Sequence, residues 1–159
     1  MKARLATFGD FKCAHCHVIV SSAHLLSGVN NRNHCPYCLW SCHLDLYAAG
    51  DRLSACKAPM RPIGLTTKTG RNKYQREARG ELMLVHQCSA CQTLSINRIA
   101  ADDDSETIRA VFQESLMLEH HTRMQCQQNG ILLLKPEDSR FVNMQLYGHP
   151  SEIPQMGWT

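Results

Sequence analysis

A chain of 159 residues fits one compact unit, but with only 6 % aromatic residues it lacks the large rings that fill a small core unaided. Its formal net charge of +3 selects no class of partner, and no apolar run approaches the roughly 18 residues that cross a bilayer, which excludes a membrane-spanning helix. Nine cysteines is an odd count, and Met1 to Asp10 carries Lys2, Arg4 and Asp10 instead of an apolar leader, so a reducing, cytoplasmic setting is expected in place of a secreted disulfide framework.

From Phe11 to about Asp104 the chain is rich in cysteine and punctuated by Gly28, Gly50, Pro59, Pro62, Gly64, Gly70 and Gly80. This pattern predicts a small zinc-stabilised, β-rich domain with two zinc sites over 11–104. Short apolar runs at Val18 to Val20, Ile63 to Leu65 and Leu82 to Val85 predict strands, the last two forming a hairpin. Near Asp103 the register changes. Asp103 or Ser105 is a candidate cap, and Ile108, Val111, Phe112, Ser115, Leu116 and Leu118 form a stripe that predicts a helix from about Ser105 to Gln127. Asn129 and Gly130 offer a stop. Ile131 to Leu134 and the alternating Val142, Met144 and Leu146 then predict a β-hairpin. The chain thus divides into the metal domain, an α+β extension over 105–147 and an extended tail over 148–159.

Two residues between cysteines let both thiolates reach one ion from a tight turn. Cys13 and Cys16 form such a pair, Cys35 and Cys38 another, and the 18 residues between them lie in the range of a four-cysteine zinc site. Cys88 and Cys91 form a third pair with no fourth to join. Cys56 is its third candidate ligand; His43 is favoured as the fourth, with Cys42, His86, His15 and His17 as alternatives. Zinc accepts three thiolates and an imidazole without strain. Closed tetrads leave no position at which water is polarised, so both Zn2+ ions are expected to be structural. Cys42 and Cys126 remain as packing residues.

The string Arg32-Asn33-His34-Cys35-Pro36 resembles the RNHCP domain family, a group of small bacterial zinc-ribbon-like domains. The similarity continues through Ser41, His43, Asp45, Gly50-Asp51-Arg52, Cys56, Met60-Arg61-Pro62-Ile63, His86, Cys88, Cys91 and Asn97-Arg98 to Asp102-Asp103, covering about 11–104. The resemblance implies a second ligand set of His43, Cys56, Cys88 and Cys91. It implies little about activity. The segment between Ile63 and Val85 is longer and more basic than the family's short hairpin leads one to expect, and residues after about 105 have no counterpart.

Between Lys57 and Arg79 lie seven basic side chains opposed by Glu77 alone. Lys68, Arg71, Lys73, Arg76 and Arg79 of this hairpin, with Tyr74 available to stack on a base, are the best sequence argument for a polyanionic partner. Arg32, His34 and Arg98 stand beside the metal ligands as further candidate nucleic-acid contacts. The competing reading pairs Arg32 and Arg98 with Asp45, Asp51 or Asp102 and makes His34 an organiser of the ligand loop. The expected function is non-catalytic binding of RNA, as a ribosome- or ribonucleoprotein-associated factor. The alternatives are a protein adaptor acting through residues 105–159, and a magnesium-dependent nuclease using His34 with Asp102, Asp103, Asp104 and Glu106.

Overall fold

In a computed structural model of the chain, residues 10–29, 32–46, 53–68 and 80–149 are described. Strands β1 (Phe11–Lys12) and β2 (Ile19–Val20) pair antiparallel around the first cysteine loop, and a four-residue helix α1 (His24–Ser27) ends at Gly28, whose φ of +68° favours glycine. Four further strands, β3 (Ser41–Cys42), β4 (Pro59–Lys68), β5 (Glu81–Cys88) and β6 (Leu94–Arg98), form an antiparallel sheet in chain order. The hairpin predicted from Ile63 to Leu65 and Leu82 to Val85 is therefore β4–β5. Every residue from Leu82 to Cys88 is buried, because both faces of β5 are covered and a polar alternation has no solvent side to face.

The cover comes from the C-terminal third. Helix α2 (Ser105–Ser115) sets Ile108, Val111 and Phe112 against Leu65, Leu82 and Leu84, with Leu39 of the second cysteine loop in the same cluster. A second cluster joins Ile63 and Val85 to Cys126 and Ile131. The segment beyond 105 thus shares its core with the strands. Gly64, at a bulge in β4, lets the layers approach: a Cβ there would lie 2.8 Å from Leu133 Cδ2 and 3.2 Å from Ser115 Cβ.

Three expectations for this region are corrected. The single helix over Ser105 to Gln127 is two, α2 and α3 (His120–Gln128). The Arg123 guanidinium donates to the carbonyls of Ser115 (3.2 Å), Leu116 (2.6 Å) and Leu118 (3.1 Å), satisfying the acceptors that α2 exposes where it ends. The cap is Asp104, whose carboxylate accepts the Thr107 amide at 2.9 Å, and neither Asp103 nor Ser105. The C-terminal β-hairpin does not form. Ile131 to Leu134 is an irregular segment tied to β4 by Leu134 N to Leu65 O (2.9 Å) and Thr66 Oγ1 to Leu132 O (2.7 Å). Residues read as its second strand lie in α4 (Ser139–Tyr147), entered through a single turn at Pro136–Asp138. Phe141, Val142 and Leu146 meet the core on one helical face while Met144 stays exposed.

Phe112 is fully buried where α2 meets the sheet. Phe112→Ala is expected to cost about 3–5 kcal/mol in chemical denaturation of the metal-loaded chain. A cost under about 1 kcal/mol would mean that the extension does not belong to the core.

Candidate metal centres and the network behind them

The three cysteine pairs are built alike, residue for residue. In each, the amide of the first cysteine donates to the carbonyl five residues on: Cys13 to Val18 (2.8 Å), Cys35 to Trp40 (2.9 Å), Cys88 to Thr93 (2.9 Å). The carbonyl of that cysteine accepts from the amide four residues on, at His17, Leu39 and Gln92. Those three residues have φ of 65°, 63° and 64°, a left-handed conformation that side chains adopt only at a cost. The turn reverses the chain sharply enough to aim both sulfurs into one space. In the first loop the amides of His15 and Cys16 also donate to Cys13 Sγ, each at 3.4 Å.

Two such turns close the first centre, where Cys13, Cys16, Cys35 and Cys38 converge. Cys13 Sγ lies 3.5 Å from Cys38 Sγ, and Cys16 Sγ 3.6 Å from Cys35 Sγ. The rings of His15 and Trp40 stack across the pair of loops, with centroids 4.1 Å apart. The second centre has one such turn, Cys88 to Cys91, and a divided partner in His43 and Cys56. His43 donates through its amide to Ala58 O (2.9 Å) and accepts through its carbonyl from Lys57 N (3.1 Å), which ties the chain just past Cys56 to His43; Lys57 has φ of +50°. Cys56 Sγ is 3.6 Å from Cys88 Sγ, and Cys91 Sγ 3.3 Å from His43 Nδ1.

These separations fit a tetrahedral ion. Sulfurs about 2.3 Å from a shared zinc would lie about 3.8 Å apart, and a sulfur and an imidazole nitrogen about 3.5 Å apart. In each tetrad all donor atoms lie within 4.8 Å of one another, and among the described residues no other such group of cysteine, histidine, aspartate and glutamate occurs. Of the alternatives for the fourth ligand, Cys42, His86, His15 and His17 stand outside the cluster.

The electrostatics call for a cation. Burial pushes the Cys35 and Cys38 thiols up. Burial opposes ionisation of Cys13 as well, but amides from Cys16 and His15 outweigh it and bring that thiol down. The Thr93 hydroxyl and amide pull Cys91 down to about 6, a thiolate at neutral pH. A divalent ion in each cluster would hold all the sulfurs ionised against burial and mutual repulsion.

Behind the centres lies a buried polar network that corrects two expectations. Arg32 and His34 do not face a nucleic acid. The Arg32 side chain is 1 % exposed; its Nη1 donates to Asp102 (2.8 Å), its Nη2 lies 3.5 Å from Asp103, and its Nε donates to the His34 carbonyl (3.2 Å). His34 Nε2 lies 2.7 Å from Asp103 Oδ2, which also accepts the Ala100 amide at 2.8 Å. The guanidinium so neutralises the fully buried Asp103 carboxylate and the partly exposed Asp102, which together hold the loop before Cys35. His86 is equally buried. Its Nε2 donates to Leu39 O (2.7 Å) and its Nδ1 accepts from Asn97 (2.9 Å). Burial, with His34 nearby, holds its pKa down to about 3. Since the folded value lies below the unfolded 6.5, the stability that His86 contributes is present above about pH 6.5 and is lost as pH falls toward 3.

With Asp102 and Asp103 bonded to Arg32 and His34, and Asp104 spent as a helix cap, the carboxylate set imagined for a nuclease is dispersed. Of the remaining candidate contacts, Lys68 is exposed at the end of β4, and Arg98 is exposed on β6 with its Nε 3.0 Å from Glu81. Arg71, Lys73, Tyr74, Arg76 and Arg79 lie outside the described residues. Sequence reasoning missed the left-handed residues at His17, Leu39 and Gln92, and the buried hydrogen bonds of His86 and of Asp103. The repeated position one residue past each pair was the available signal for the former. For the latter there was only the presence of Asp102-Asp103 in the resemblance.

The family model described as RNHCP domain matches residues 8–109. No curated protein and no solved structure gives a match.

Two arginines separate the structural and surface roles. Arg32→Met is expected to destabilise the metal-loaded protein by about 3–5 kcal/mol, because it strands buried Asp103. Arg98→Met, which removes an exposed pair, is expected to cost less than about 1 kcal/mol. Equal, small changes in denaturation midpoint would contradict the buried network.

Proposed function

The chain belongs to the RNHCP domain family, and from that premise we propose that it is a non-catalytic RNA-binding protein whose two donor sets hold structural zinc ions. Thiolate and imidazole donors in tetrahedral sets suit zinc, whereas magnesium and calcium take oxygen. When bound, the ions supply folding free energy, on the order of 10 kcal/mol each in zinc-finger peptides. All four positions of each ion would be filled by protein, which leaves none for substrate.

The observation that carries the RNA reading is the register of the β4–β5 hairpin. Lys68 pairs opposite Glu81, so the chain leaves and re-enters the sheet at one end, on either side of Arg71, Lys73, Arg76 and Arg79 in the sequence. Arg98, opposite Met83, stands near that end in an ion pair with Glu81. Clustered lysine and arginine gain affinity by releasing counterions from phosphates, and Tyr74 offers a ring for an unstacked base. A ribosome or other ribonucleoprotein is the expected setting. The adaptor alternative has less support, because the apolar stripe of α2 is consumed by the core.

The test is a salt titration of single-stranded RNA binding, with Arg71, Lys73, Arg76 and Arg79 replaced together by alanine. The loss of four phosphate contacts should make the slope of log affinity against log salt shallower by about 3. Affinity at low salt should fall more than about tenfold. Binding unchanged in both respects would rule out the hairpin as the interface.

A further inference from the structure

Of the string Arg32-Asn33-His34-Cys35, three members have duties inside the protein: Arg32 in ion pairs, His34 on Asp103, and Cys35 in the first tetrad. Asn33 differs. Its half-buried side chain has no hydrogen-bond partner among the described residues, and it lines a cavity of about 210 Å³ beside the second centre, whose ligand His43 forms part of the wall. Asn97 lines the same cavity, and its orientation is dictated from behind. The Leu39 carbonyl can only accept, so His86 donates through Nε2, its Nδ1 accepts, and Asn97 must donate through Nδ2, which also reaches Ser95 Oγ at 3.2 Å. What Asn97 has left to offer is its carbonyl oxygen. Asp45 also lines the cavity, and Met60, Leu94 and Ile96 supply aliphatic walls.

A cavity below the roughly 300–1,000 Å³ of drug-sized sites takes a single ring system. Aliphatic walls with side-chain amides suit a flat ring whose edge donates hydrogen bonds, the way proteins read bases splayed out of single-stranded RNA. We propose that this cavity receives one unstacked nucleobase, with Asn33 and Asn97 reading its edge. The proposal deepens the RNA-binding reading and rests on it. Guanine, which donates from both N1 and N2, is the best match to the carbonyl oxygens of Asn33 and Asn97, and the basic hairpin supplies affinity for phosphate without choosing among bases.

Two measurements on the full-length, zinc-loaded protein test this. Guanosine 5′-monophosphate, titrated against isotopically labelled protein, should shift the Asn33 side-chain amide resonance, whereas ribose 5-phosphate should not. A uridine decamer with one central guanosine should bind about five- to tenfold tighter than the all-uridine decamer. Asn33→Ala, which removes no internal hydrogen bond, should keep its melting temperature and both zinc ions yet abolish that difference. An Asn33 amide that ignores the nucleotide, or responds equally to the sugar phosphate, overturns the proposal. So does equal binding of the two decamers by the wild type, or a preference that survives in Asn33→Ala. If neither decamer binds while the nucleotide still shifts Asn33, the base site stands and the RNA-binding reading fails.

Discussion

Seven thiols and one imidazole drawn into two tetrads are the constraint from which the rest of this structure follows. Sulfurs 3.5–3.6 Å apart, several of them buried, repel one another once ionised. A central cation would turn that repulsion into attraction. The elements around the centres have little else to hold them. Strands β1, β2 and β3 are two residues long, far below the length at which a strand pair is stable in water. Four non-glycine residues next to the ligands hold left-handed backbone conformations, which a metal bond over-determines and a free chain would relax.

The metal clusters alone would give two rigid knots joined by loose chain. Their coupling comes from the buried network and from α2. Arg32 and His34 tie the loop before Cys35 to Asp102 and Asp103, the Asp104 amide donates to Pro36 O (2.9 Å), and His86 on the central strand donates to Leu39 at the end of the same loop. The first centre is thus fastened to the sheet that carries the second. The family match ends at residue 109, inside α2, where the helix start serves as part of this fastening. Burial of Arg32 among acids costs desolvation that its ion pairs largely offset; what the arrangement provides is a fixed relation between loops.

Much of this was legible in the residues because the governing period was short and chemically marked. Cysteines two apart announce a turn and a shared ion, and β-branched and aliphatic runs flanking a basic segment announce a hairpin. The fourth ligand was harder: His43 reaches the centre only because β3 pairs with β4, a tertiary fact. The helix beyond Asp104 was visible, but not its break, since nothing in the local stripe says that Arg123 will turn back onto carbonyls at 115–118. The segment 139–147 misled because Val142, Met144 and Leu146 fit a period of two as well as part of a period of 3.6. Nine residues are too few to decide, and the exposure of Met144 decides it only in three dimensions. Arg32 could be read equally as a phosphate clamp or as a partner of Asp102. The sequence carries both charges but not the burial that selects between them.

Native mass spectrometry of the intact chain, followed by thermal unfolding with and without a strong chelator, tests the central claim most directly. Two zinc ions per chain, with the cooperative transition abolished on chelation, is the result this account predicts. A metal-free chain that keeps its transition would contradict it.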